Sequence, residues 1–146
     1  AWIANQDRHH QNWGAIVDTP KLRLAPTFDH GASLARNLSD EERKERLSTR
    51  DENRSVAYFA ERARSGFYAS PKDGKTMMAL DVFRRFAERD PLAARIWLDK
   101  LAKISQMVVE TILDEIPPQR MSPVTREFTL TLLLINQERI LGSLEP

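Results

Sequence analysis

No cysteine occurs among the 146 residues. A disulfide scaffold is therefore excluded, as is any thiolate-held zinc or iron–sulfur site, and the usage suits a reducing compartment such as the cytoplasm. An excess of one charge is missing too. Lys and Arg total 22 against 21 Asp and Glu, a net charge of +1, which removes the electrostatic ground for direct nucleic-acid or membrane-surface binding. The longest apolar runs reach about five residues, far short of the ~20 that span a bilayer. There is no internal repeat and no low-complexity tract. The opening Ala1-Trp2-Ile3-Ala4 has neither the basic start nor the apolar run of a signal peptide, and it reads as a cut made inside a longer protein. What is present is 41% hydrophobic and 29% charged residues, the composition of one compact soluble domain.

The composition shifts once along the chain. Residues 1–35 hold Gly, Pro and alternating apolar positions, whereas the sequence after Ser39 is rich in helix formers. Trp13 to Val17 and Lys21 to Ala25 flank Asp18-Thr19-Pro20, and Leu22 and Leu24 alternate with Lys21 and Arg23, the period of a short β-hairpin. Ser39-Asp40-Glu41-Glu42 is a capping box that starts a helix reaching about Thr49. Between Arg36 and Arg54, six basic and six acidic residues interleave, as on a solvated helical surface. Val56, Phe59, Ala60 and Ala63 predict a second helix that stops at Ser65-Gly66. After the turn cluster Ser70-Pro71-Lys72-Asp73-Gly74, a third stripe runs through Met78, Val82, Phe83 and Phe86.

Asp90-Pro91 and Ser122-Pro123 each pair an N-cap with proline at the first helical position. The first opens a helix through Ile96, Trp97 and Leu101, and the apolar pattern continues from Met107 to Ile116 until Pro117-Pro118 ends it. Whether it breaks near Ser105 is left open. The second opens a last helix that buries Phe128, Leu132, Ile135 and Ile140. The fold class is mainly α (α+β), with the Met and aromatic stripes expected to form the core. Nothing from Arg36 onward announces chemistry.

The polar crowding lies elsewhere, in Asn5-Gln6-Asp7-Arg8-His9-His10-Gln11-Asn12 before the hairpin and Phe28-Asp29-His30-Gly31 after it. A hairpin sends the chain out and back, so Asp7, Asn12 and Asp29 are expected to converge. Carboxylate and amide oxygens without thiolates suit a hard cation such as Mg²⁺, which is usually held by one or two such groups plus substrate phosphates. Phosphoryl transfer is the chemistry this suggests. In protein kinases the catalytic-loop Asp stands five positions before a metal-binding Asn, and a second metal-binding Asp opens a triplet ending in Gly further on. Asp7 to Asn12 is five positions, and Asp29-His30-Gly31 occupies the place of the triplet.

With these residues the sequence resembles the HipA-like kinases, bacterial serine/threonine kinases often found as toxins and distantly similar to phosphatidylinositol 3/4-kinases. The resemblance covers Asn5 to Asn12 and Leu24 to Leu34. Asp7-Arg8-His9-x-x-Asn12 is the lipid-kinase-like form of the catalytic loop. It implies a kinase-like C-terminal lobe in which Asp7 positions or deprotonates the acceptor hydroxyl, His9 supports developing charge or shares the proton, and Asn12 and Asp29 hold Mg²⁺ on the ATP phosphates. Its implied partners are a protein substrate and an antitoxin-type protein. No glycine-rich phosphate loop and no strand lysine precede Asp7, so an N-terminal ATP-binding lobe is expected to be missing and the fragment alone to be inactive or nearly so. Lys72-Asp73-Gly74-Lys75 lacks the glycine pattern of a phosphate loop and reads as a turn. His30 departs from the aromatic usual in the triplet.

Each residue also has a plainer reading. Asp7 can cap a turn, Asn12 can close a loop through its amide, Asp29 can pin a turn beside Gly31, His9 can brace the loop, and Arg8 can serve as a salt-bridge partner. Two other functions compete. His9, His10 and His30 with Asp7 and Asp29 would ligate a transition metal in a hydrolase, although adjacent histidines rarely face one side and no H-x-x-x-H spacing exists. A non-catalytic helical protein-interaction module is the other. Trp2, Ile3 and Trp13 are expected to be apolar surface that faced the missing lobe, partly exposed or covered by another copy.

Overall fold

The computed structural model describes residues 1–144. It is a mostly helical domain with one small antiparallel sheet. The hairpin pairs β1 (Ala15–Asp18) with β2 (Lys21–Leu24) in the register Ala15↔Leu24, Ile16↔Arg23, Val17↔Leu22 and Asp18↔Lys21. Directly opposed residues share a face, so Ala15, Val17, Leu22 and Leu24 make one side wholly apolar while Arg23, Asp18 and Lys21 share the other with Ile16. Every residue of both strands is exposed. The alternation read from the sequence is thus present without a core beneath it.

Six α-helices follow among the described residues. The capping box at Ser39 starts α1 (Asp40–Ser48), with both reciprocal hydrogen bonds formed. Ser55 caps α2 (Val56–Glu61), which ends short of the expected Ser65-Gly66 stop. The chain there is extended instead, Arg64 bridging Met78 and the Ser65 N–H donating to the Met77 carbonyl at 2.9 Å. Then come α3 (Ala79–Arg89) and α4 (Pro91–Ala102), the latter capped by Asp90 with Pro91 in its first turn. A break follows α4, and the Ser105 hydroxyl accepts from Val108 to start α5 (Gln106–Asp114). The last helix, α6 (Pro123–Leu141), is capped by Ser122.

Helix α6 organises the molecule. It packs against α1, α2, α4 and α5, and its residues serve two apolar clusters. Phe128 and Leu132 join Ala4, Ala35, Val56, Ala60 and Ala63 in one. Leu133 joins Val109 and Leu113 in the other, against which Trp2, Ile3, Leu34, Ile104 and Ile116 pack. The segments 2–4 and 34–35 therefore reach both clusters, and the loops that follow and precede them are rooted in the core. No helix of the described residues is long and apolar enough to cross a membrane.

Two expectations about apolar side chains need correction. The stripes of α3 to α5 do not all form core: Phe86, Ile96, Trp97, Met107 and Ile112 are exposed, Trp97 at 62%. The buried positions on α3 and α4 are alanines, Ala79, Ala87 and Ala94. Small residues take the inner face, leaving larger ones outside it. Trp2 and Ile3, expected as surface, instead pack on the second cluster, where the Trp2 indole N–H donates to the Leu133 carbonyl at 3.0 Å. Of that trio, Trp13 alone is exposed.

Candidate functional site

The two polar loops are joined by a buried amide. Asn5, 4% exposed, accepts the Asp7 N–H on its Oδ1 at 2.9 Å and donates from its Nδ2 to the Asp29 carbonyl at 3.3 Å. One carboxamide thus spans from the backbone of Asp7 to that of Asp29. Asn12, 3% exposed, donates from Nδ2 to the Asp7 carbonyl at 3.0 Å, closing the five-residue loop on itself. With its nitrogen so engaged, the Asn12 amide has its Oδ1 as the atom that can meet a cation. A third tie comes from Arg8, whose guanidinium donates to the Phe28 carbonyl at 2.9 Å and lies 4.3 Å from the centre of the Trp13 ring. Arg8 links the loops through a carbonyl and a cation–π contact, in place of the salt bridge expected for it.

His9 closes the loop locally. Its Nδ1 accepts the Gln11 N–H at 3.2 Å as the cap of a 3₁₀ turn over His10–Asn12. In the neutral ring this places the proton on Nε2, and Nε2 lies 3.8 Å from Asp7 Oδ1. The Asp7 carboxylate itself is 63% exposed, open to a reactant from solvent. His30 Nε2 lies 3.0 Å from Thr27 Oγ1. His10 makes only a tilted ring contact with His9, at 5.9 Å between centres.

Backbone conformation marks the same region. Among the described residues the positive-φ positions outside glycine are Ala4 (48°), Asp29 (56°), Leu34 (55°) and Ala35 (54°). Left-handed backbone at an Ala or Leu is sterically costly, and such residues cluster where function constrains a loop. Here each stands at a root of one of the two loops or, for Asp29, within the second loop. The Gln6 N–H to the Ala32 carbonyl (3.1 Å) and the Leu34 N–H to the Ile3 carbonyl (2.9 Å) lace the loops further.

Asp7, Asn12 and Asp29 thus fall in one hydrogen-bonded unit. The bonds that join them run through the backbones of Asp7 and Asp29; in chemical type, the Asp29 carboxylate and the Asn12 amide oxygen suit Mg²⁺ completed by phosphate oxygens. Among the described residues no group of three or more His, Cys, Asp or Glu side chains is placed to hold a metal ion, so the five-residue His/Asp ligand set weighed for a hydrolase has no such cluster in the structure. Sequence reading left Asn5 without a role, although a second Asn two positions before Asp7 fits an Asx turn. It also read Gly66 only as part of a helix stop, whereas Gly66 touches this loop from a segment 57 positions beyond His9 in the chain. No periodicity or motif points there.

Comparison with models of protein families, with characterised proteins and with solved structures finds no match for this chain.

Proposed function

We propose that this chain carries the catalytic-loop and metal-binding half of a HipA-like serine/threonine kinase, transferring the γ-phosphoryl group of ATP to a protein hydroxyl. The observation behind the reading is the relay Asn12 to Asp7 to Asn5 to Asp29, which holds a five-residue Asp-to-Asn loop against a second Asp-bearing loop. The residues divide the work. Asp7, exposed and beside the His9 ring, orients the acceptor hydroxyl and takes its proton as the hydroxyl oxygen bonds to the γ-phosphorus and the bond to the β-phosphate oxygen breaks, releasing ADP. Asn12 and Asp29 would hold Mg²⁺ through their side-chain oxygens, and the ion would offset charge on the phosphates. His9, with its Nε2 proton toward Asp7, steadies that carboxylate. An ATP-binding lobe of the kind the resemblance implies would complete the nucleotide site, so the chain alone is expected to show little turnover.

Amide NMR spectra titrated with Mg²⁺ and a non-hydrolysable ATP analogue test this. Shifts concentrated at Asp7, Asn12 and Asp29, requiring both components together, are expected. Shifts absent from these residues while the fold is intact would contradict the proposal.

A second reading, a protein-interaction module, draws on a different observation. The Val17, Leu22 and Leu24 face of the hairpin is 76%, 72% and 59% exposed, and a two-stranded hairpin is marginal without a covering layer. The two readings are compatible in an intact protein.

A further inference from the structure

We propose that Gly66, held by its neighbours Ser65 and Phe67, is the positioning residue of the catalytic-type loop, a backbone strap that sets where Arg8 and His9 stand. The inference rests on the phosphoryl-transfer reading only for what the loop does; the placement of the strap stands on contacts alone. Gly66 donates its N–H to the Arg8 carbonyl at 2.9 Å. A Cβ at Gly66 would lie 2.8 Å from the His9 Cβ and 3.0 Å from the Arg8 carbonyl oxygen. Neither neighbour is the far end of a flexible side chain, so a methyl group cannot be accommodated by rotation alone. At Gly74 and Gly142, by contrast, an added Cβ meets nothing within 4 Å. Gly66 is glycine because the loop's backbone lies against it.

The strap is itself anchored. The Ser65 N–H and hydroxyl both donate to the Met77 carbonyl, at 2.9 and 3.1 Å, and the Phe67 N–H donates to Ser65 Oγ at 3.2 Å. The Met77 N–H returns to the Phe67 carbonyl at 2.7 Å, and the Arg64 guanidinium binds the Thr76 carbonyl. Residues 64–67 and 76–78 thus form a short extended pair whose inner end presses on Arg8 and His9. Through Arg8 the pressure reaches the Phe28 carbonyl, one residue before Asp29. Through His9 it reaches the Gln11 N–H and the side of Asp7. Displacing Gly66 would therefore unseat the ring that faces Asp7 and loosen the tie to the second loop.

The His9 ring reports this directly. In the neutral form the Gln11 N–H bond to Nδ1 selects the Nε2-protonated tautomer, which ¹⁵N NMR of the ring distinguishes. In the 146-residue chain, Gly66→Ala is expected to mix the two tautomers and to raise amide exchange at Arg8, His9 and Gln11, while circular dichroism and the α6 amide spectrum stay native. Gly74→Ala is expected to change none of these. A Gly66→Ala chain with one Nε2-protonated tautomer and unchanged Arg8 and His9 amides would overturn the proposal. Should that variant fail to fold, Ser65→Ala decides: it keeps Gly66 and the backbone bonds to Met77 but removes both hydroxyl bonds of the anchor, and is expected to raise amide exchange at Gly66 and Arg8 and to shift the His9 tautomer ratio, an unchanged ring with unchanged amides overturning the claim. Mn²⁺ with ATP, added to the unmodified chain and to Asn12→Ala and Asp29→Ala and followed by water-proton relaxation, separates the two levels. Binding there that Asn12→Ala and Asp29→Ala both leave unchanged would sink the phosphoryl-transfer reading, whereas the tautomer result judges the strap either way.

Discussion

At the scale of single residues, Asn5 and Asp7 make opposite predictions although they stand two positions apart. Asn5 is buried with both ends of its amide engaged, so Asn5→Ala strands the Asp7 N–H and the Asp29 carbonyl and is expected to cost about 1–3 kcal/mol in urea unfolding. The Asp7 carboxylate is mostly in solvent, and Asp7→Asn should leave stability within about 0.5 kcal/mol while abolishing phosphoryl transfer in an intact enzyme. Comparable losses of stability in the two variants would show that Asp7 is a structural cap. That the loops carrying Asp7, Asn12 and Asp29 lie together was legible, because the spacing is local and the hairpin between them is short. Asn5 was visible in the same motif but silent, since its task is to hold backbone groups whose positions depend on the fold. Gly66 was illegible: what makes it necessary is a contact between segments far apart in sequence.

Among the elements, helix starts were written most plainly. Ser39, Asp90 and Ser122 each act as the N-cap expected of them, and Ser105 proves to cap a separate helix where the pattern alone left a break undecided. Caps are read locally because the groups they satisfy lie within one turn. How far a stripe is buried was not legible, because that depends on which neighbour arrives: alanines bring α3 and α4 inward and leave Trp97 out. One joint between elements carries a pH dependence. Asp40, at the start of α1, is held below its ordinary value of 3.8 by hydrogen bonds from the Ser122 and Thr125 hydroxyls, opposed by its desolvation and aided by Arg43. The Thr125 hydroxyl reaches it at 2.8 Å across the α1–α6 contact. A carboxylate with a lowered folded-state pKa adds stability above its unfolded value and loses it as pH falls through the lowered one. The stability gap between the native chain and Thr125→Val should therefore be full at neutral pH and shrink below about pH 4, read from urea midpoints across a pH series. A gap that persists undiminished at pH 2.5–3, by contrast, would assign Thr125 a packing role only.

For the molecule as a whole, α6 contributes to both apolar clusters, and the two polar loops are rooted in them. Phe128 is fully buried in a cluster with Ala4, Ala35, Val56, Ala60 and Ala63, with Phe59 edge-on at 5.9 Å, and Phe128→Ala should cost about 3–5 kcal/mol. Because the same cluster includes Ala4 and Ala35, that variant should also raise amide exchange at Asp7 and Asp29, which a core unrelated to the site would not do. The mainly helical class with one hairpin was readable from composition and periodicity, whereas the rooting of both loops in the core on either side of α6 needed the three-dimensional structure. The claim at the centre of the account is that Asn12 and Asp29 hold a divalent cation together with ATP phosphates. Mn²⁺ binding, read from water-proton relaxation with and without ATP, tests it in the native chain and in Asn12→Ala and Asp29→Ala. Binding that ATP strengthens and either substitution weakens is the predicted result, and binding indifferent to both substitutions would contradict it.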